Sequence, residues 1–158
     1  MNVIVKKAPL LVFAVCICTL LPAQSMRWAD GKEFARKLSE NLYEPVPAGV
    51  VSCKIENDRF WILFNGVPQS DNPTGYYTYT DDEYVYYNGN DDIVGSYIPS
   101  QGRYYIITAK GKDILKSESY AVLVNGALYQ AVNDETIVRY TVEEGFDPVV
   151  VGFFLLVQ

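Results

Sequence analysis

The feature that most constrains this chain is the spacing of its turn signals. After Gly49, the pairs Asn65-Gly66, Asp81-Asp82, Asn88-Gly89 and Asn125-Gly126 interrupt short runs of aromatic and β-branched residues. Asn-Gly is the strongest short-range hairpin signal, because both central residues of the tightest hairpin turn need positive φ. Between the turns, Val51, Cys53 and Ile55 alternate with Ser52, Lys54 and Glu56, which is the period of a half-buried strand. Residues 59–64, 76–80, 83–88, 92–98, 103–109, 119–124, 127–132, 136–142 and 149–157 read as further strands. A strand recurring roughly every 8–12 residues is the pattern of sandwiches and barrels. The expected class is therefore all-β, an antiparallel β-barrel or β-sandwich of about 8–10 strands.

One helix is expected before the strands, at about residues 30–43. Asp30 suits an N-cap, with Glu33 three residues on as in a capping box. Phe34, Leu38 and Leu42 recur at i, i+4 and i+8, and Pro45 and Pro47 end the run before Gly49. The last segment, Val149 to Val157, is apolar at successive positions and reads as a central strand. Such a strand leaves open a homo-oligomer paired through it. A membrane-spanning barrel would need lipid-facing alternation in most strands, and several here do not alternate that way.

The first 25 residues read as a secretory signal peptide. Lys6 and Lys7 precede an apolar run from Leu10 to Leu21, and Pro22 leads to the small residues of Ala23-Gln24-Ser25. Cleavage is expected after Ser25, with Ala23 as second choice. The apolar run falls short of the ~20 residues that span a bilayer, so no transmembrane span remains after removal. The expectation is an exported chain, secreted or periplasmic, with residues 26–158 forming a single domain.

Removing Lys6 and Lys7 from 13 basic residues leaves 11 against 19 acidic ones, a net charge of −8. That balance argues against nucleic acid as a partner. The leader also takes Cys16 and Cys18, so Cys53 is left with no internal disulfide partner and the fold must rest on its own core. Cys53 lies on the Val51/Ile55 face, where a thiol is buried and inert.

The chain contains no histidine. Ser-His-Asp and Cys-His nucleophile systems and His-ligated metal sites are thereby excluded. Asn88 to Asp92 lacks the alternating oxygens and distant glutamate of a calcium loop, and no phosphate or dinucleotide fingerprint is present, so no metal and no cofactor is expected. A pair of carboxylates is the one catalytic device left. Its candidates are Asp81, Asp82, Glu83, Asp91, Asp92, Asp134, Glu135, Glu143 and Glu144, all in turns where acids also serve to solvate loops.

Thirteen tyrosines are the remaining compositional signal, and six of them fall between Tyr76 and Tyr87. A bend at Asp81-Asp82 pairs Tyr79 with Tyr84 and Tyr77 with Tyr86, which puts all four phenols on one face. Amphipathic rings with a wet tip suit a surface that meets a ligand, whereas a dry core would need a partner for each hydroxyl. The expected function is a non-catalytic binding domain that recognises a protein or a small or sugar-like ligand through Tyr77, Tyr79, Tyr84 and Tyr86. A glycosidase-like hydrolase and an envelope or structural subunit are the alternatives.

Overall fold

The computed structural model describes residues 24–45, 51–110, 113–132 and 135–157. Residues 1–23 of the expected leader, the Pro47–Gly49 stop and Asp134 lie outside these. Thirteen strands run in chain order. They are β1 (Ser25–Trp28), β2 (Glu33–Ser39), β3 (Leu42–Pro45), β4 (Val51–Glu56), β5 (Arg59–Phe64), β6 (Val67–Pro68), β7 (Gly75–Thr80), β8 (Glu83–Asn88), β9 (Ile93–Ile98), β10 (Arg103–Lys110), β11 (Asp113–Val124), β12 (Ala127–Val132) and β13 (Glu135–Val142). One helix, α1 (Pro148–Leu156), follows. Apart from β6, which pairs only with β5, each strand pairs antiparallel with its neighbours in sequence, and β1 closes on β13. The result is a closed antiparallel barrel of 12 strands. Of the two expected architectures, the barrel is the one formed.

Tight turns set the register. At Asn57-Asp58, Asn65-Gly66, Asp81-Asp82 and Asn125-Gly126 both residues have positive φ, as two-residue hairpin loops require. Asn and Asp tolerate that region better than other side-chain-bearing residues.

A barrel of eight strands is just filled by its own side chains, and diameter grows with strand number. Twelve strands leave a lumen, and α1, about 10–12 Å across with its side chains, occupies it. Six of its nine residues are buried, namely Val150, Val151, Gly152, Phe153, Leu155 and Leu156. Phe153 stacks on Phe60 of β5 at 4.7 Å and meets Tyr86 of β8 edge-on at 5.2 Å. Phe154 meets Phe34 of β2 at 5.8 Å. A Cβ on Gly95 of β9 would stand 2.9 Å from Leu156, so glycine there lets the wall approach the helix. One core cluster joins the helix to wall residues from Met26 and Ala35 through Phe60 and Tyr86 to Leu128 and Val142. Outward positions carry cross-strand ion pairs, Arg27–Glu33 at 3.2 Å and Arg36–Glu44 at 2.7 Å. No helix among the described residues is long and apolar enough to cross a membrane.

The helix is therefore C-terminal, and two expectations are corrected. Residues 30–43 form no helix; they hold the turn into β2, then β2 and the start of β3. Asp30 accepts from Lys32 N at 3.0 Å within a turn where Gly31 has φ +85°, instead of capping a helix. Arg36 pairs across strands with Glu44, and Phe34 stands in a β-bulge between Ala35 and Glu33. Three apolar residues at helical spacing are a weak signal, and tertiary pairing overrode it.

Conversely, residues 149–157 form no strand. An apolar run is ambiguous by periodicity, since a helix buried on every side has no polar stripe. The capping residues decide it: Asp147 Oδ1 accepts from Val149 N at 2.8 Å, and Pro148 supplies the fixed φ of the first helical position. Held inside the barrel, this segment presents no strand edge through which a second copy could pair.

Candidate functional site

The hairpin β7–β8 has the expected register, with Tyr77 opposite Tyr86, Tyr79 opposite Tyr84 and Thr80 opposite Glu83. The four phenols share the barrel's inner side, and their environments form a gradient. Tyr86 is wholly buried, Tyr77 and Tyr84 are half-buried, and Tyr79 is 54% exposed. The gradient follows from strand lengths. On the β7 side, β5 pairs only at Arg59 with Tyr76 and at Phe60 with Gly75, so the outer half of β7 projects past its neighbour. On the β8 side, β9 continues the wall as far as Tyr97, opposite Tyr84.

The rings form a continuous row from solvent to core. Tyr79 lies 4.5 Å from Tyr84, Tyr84 lies 6.2 Å from Tyr97, and Tyr97 stacks on Tyr104 at 4.5 Å. Tyr77 meets Tyr84 edge-on at 5.3 Å. Each hydroxyl in the hairpin that has a described partner donates to an oxygen. Tyr86 Oη donates to Val149 O at 2.9 Å, and Tyr104 Oη to Pro148 O at 2.9 Å. The first turn of α1 thus supplies the acceptors that buried phenols need. Nearer solvent the acceptors are carboxylates: Tyr77 Oη donates to Asp58 Oδ1 at 2.6 Å and Tyr79 Oη to Asp82 Oδ1 at 2.9 Å. Burial, then the Asp58 hydrogen bond, pushes the Tyr77 phenol up; for Tyr79 the Asp82 hydrogen bond is the larger cause. Raised in this way, the Tyr77 and Tyr79 hydroxyls stay neutral donors at physiological pH.

What this end of the barrel offers chemically is an aromatic face fixed by two carboxylates contributed by two turns, Asn57-Asp58 and Asp81-Asp82. It presents hydrogen-bond acceptors and π-faces. Tyr86, sealed against α1, supports the face and does not reach its surface. A second aromatic feature lies outside the barrel, where Tyr76 and Tyr87 stack at 4.6 Å. Arg59, Asn72, Pro73, Tyr76, Asn88, Gly89 and Asp91 line a depression of about 450 Å³ beside it. Side-chain alternation puts Tyr76 and Tyr87 on the face opposite the four phenols, and Asn72 and Pro73 of the loop leading into β7 complete the depression.

Among the described residues, several of the candidate acids are engaged by neighbouring groups. Asp58 and Asp82 are engaged by phenols, and Asp92 Oδ2 accepts from Asn88 Nδ2 at 3.1 Å. For Glu143, burial opposes ionisation, but hydrogen bonds from Arg27 and Ser25 outweigh it and hold the carboxyl below its ordinary range. A general acid needs the opposite shift. Asn88 Oδ1 accepts from Asn90 N and Asp92 N, so the Asn88–Asp92 loop spends that oxygen on its own backbone. Among the described residues no group of three or more His, Cys, Asp or Glu could hold a metal ion. Cys53 is 4% exposed, and burial pushes its thiol up to about 12. No family model, curated protein or solved structure matches the chain.

Proposed function

We propose that the protein is an exported, non-catalytic binding domain that engages its partner through the barrel end built from Tyr77, Tyr79 and Tyr84, with Asp58 and Asp82 beside them. One observation carries this reading. Tyr79 is half exposed, yet its ring is held by Tyr84 and its hydroxyl by Asp82, so a large aromatic surface stands in solvent already ordered. An aromatic side chain fixed before binding loses little entropy on contact, which is what makes such residues effective anchors. The filled lumen directs the reading to the exposed barrel end, because α1 occupies the space where a barrel would otherwise hold a small ligand.

The chemistry of the face narrows the partner. Acceptors and π-faces match groups that donate hydrogen bonds or carry positive charge, so a protein surface rich in Lys and Arg fits best. The net charge of −6 over the whole chain favours the same partners by long-range steering. A saccharide is the second reading, favoured by the same stacked phenol beside carboxylate acceptors. Titration of the domain, labelled in its tyrosine rings, with a Lys/Arg-rich peptide and separately with neutral oligosaccharides tests both. The Tyr79 and Tyr84 signals should move first and the Tyr86 signal least. Shifts confined to residues remote from this hairpin would overturn the assignment.

A further inference from the structure

The first residues of β1 close the barrel, and this bears on where the leader ends. Ser25 and Met26 are both fully buried. Ser25 N donates to Glu143 Oε2 at 2.9 Å, Glu143 N donates to Ser25 O at 2.9 Å, and Ser25 pairs with Arg36 of β2. Gln24 belongs to the same seam. Its carbonyl accepts from Lys37 N at 2.8 Å. Its side-chain amide fills the space beside Gly145, where a Cβ would stand 2.1 Å from Nε2. Residues 24 and 25 are thus structural parts of the wall where the first strand meets the last.

We infer that processing cuts the bond between Ala23 and Gln24, so that the mature chain begins at Gln24. The inference rests on the export reading and refines it. A cut after Ser25 places small residues at both recognised positions, Ala23 and Ser25, whereas a cut after Ala23 places Leu21 and Ala23 there. The cut after Ser25 would, however, strip the Glu143 carboxylate of its Ser25 donor and place a new ammonium group on Met26, a buried position. Burying an ionised group costs far more than leaving it in water, even when a partner is near. A cut after Ala23 keeps both seam residues and puts the new charge on Gln24, which is only partly buried. Ala23 supplies the small side chain at the bond.

The test is the N-terminal sequence and intact mass of the protein exported from the full-length chain in an export-competent host. A start at Gln24 is expected. An exported chain that starts at Met26 overturns this inference alone, whereas the whole chain retained in cells overturns the export reading and the inference together. A second measurement addresses the physical argument. Chains released from a cleavable tag to begin at Gln24 or at Met26 are compared by thermal melting, and the Gln24 chain should melt several degrees higher. Equal melting temperatures would overturn the claim that the seam selects the cut.

Discussion

Replacing Gly152 by alanine reverses the usual sign of a helix substitution. In an ordinary exposed helix, Gly→Ala stabilises by about 1 kcal/mol. Here an added Cβ would stand 2.2 Å from Tyr86 Oη and 2.3 Å from its Cζ. The ring cannot simply withdraw, since it is wholly buried, packed by Phe153 at 5.2 Å, and tied through its hydroxyl to Val149 O. Overpacking of a tight core costs about 1–3 kcal/mol, and losing the hydroxyl bond adds about 1 kcal/mol. Set against the propensity gain, the net loss is about 1–3 kcal/mol. For a domain of this size that lowers the melting temperature by roughly 4–12 °C. Circular-dichroism melts of Gly152→Ala beside the parent measure it. Tyr86→Leu removes the obstructing ring, so adding Gly152→Ala to Tyr86→Leu should cost little more than Tyr86→Leu alone. If Gly152→Ala melts at or above the parent, the helix does not press on Tyr86 and the filled-barrel packing is wrong.

Three further outcomes follow from the same packing. Cys53 should react slowly with thiol reagents in the native state and rapidly in denaturant, because its thiol is buried and pushed up to about 12, and Cys53→Ser should cost about 1–3 kcal/mol, read by urea titration. Asp147→Ala removes the side-chain cap on Val149 N and should destabilise by about 1 kcal/mol, with Asp147→Asn largely restoring it in the same titration. Glu143 is held below its ordinary value of 4.5, so its contribution to stability is present above that pH and is lost as pH falls through the depressed value. Glu143→Gln should therefore flatten the acid limb of the melting-temperature profile below about pH 4.5 while leaving its shape near neutrality unchanged.

The strands were legible wherever a turn fixed both their ends. Asp81-Asp82 determined the pairing of Tyr77 with Tyr86 and Tyr79 with Tyr84, because side-chain alternation leaves no other face once the bend is placed. The two ends of the chain were misread for a shared physical reason. Local pattern reports what a segment could do alone, whereas β2 and α1 owe their conformation to partners far away in sequence. Phe34 lies against Phe154, and Asp147-Pro148 launches a helix whose apolar surface is matched by the inner side of the whole wall. Had the Asp-Pro cap been weighed above the β-branched run, the helix was recoverable from sequence. The carboxylates that anchor the tyrosine face were only half recoverable. Asp82 sits in the same hairpin, but Asp58 comes from a different turn and is brought to Tyr77 by the pairing of β5 with β7. The gradient from Tyr79 to Tyr86 was not recoverable, because it depends on the lumen being occupied and on where β5 stops.

The central claim is that the exposed end of the tyrosine row is where the partner docks. The direct measurement is the dissociation constant of a partner captured from the native medium for the parent, Tyr79→Ala and Tyr76→Ala proteins, each well below its melting temperature. Tyr79 is exposed enough that alanine should barely shift stability, while losing an ordered aromatic anchor costs about 1–2 kcal/mol of binding. Affinity should fall roughly tenfold for Tyr79→Ala and stay near the parent value for Tyr76→Ala, whose ring faces out of the barrel wall. Unchanged affinity for Tyr79→Ala, or a loss confined to Tyr76→Ala, would contradict the account.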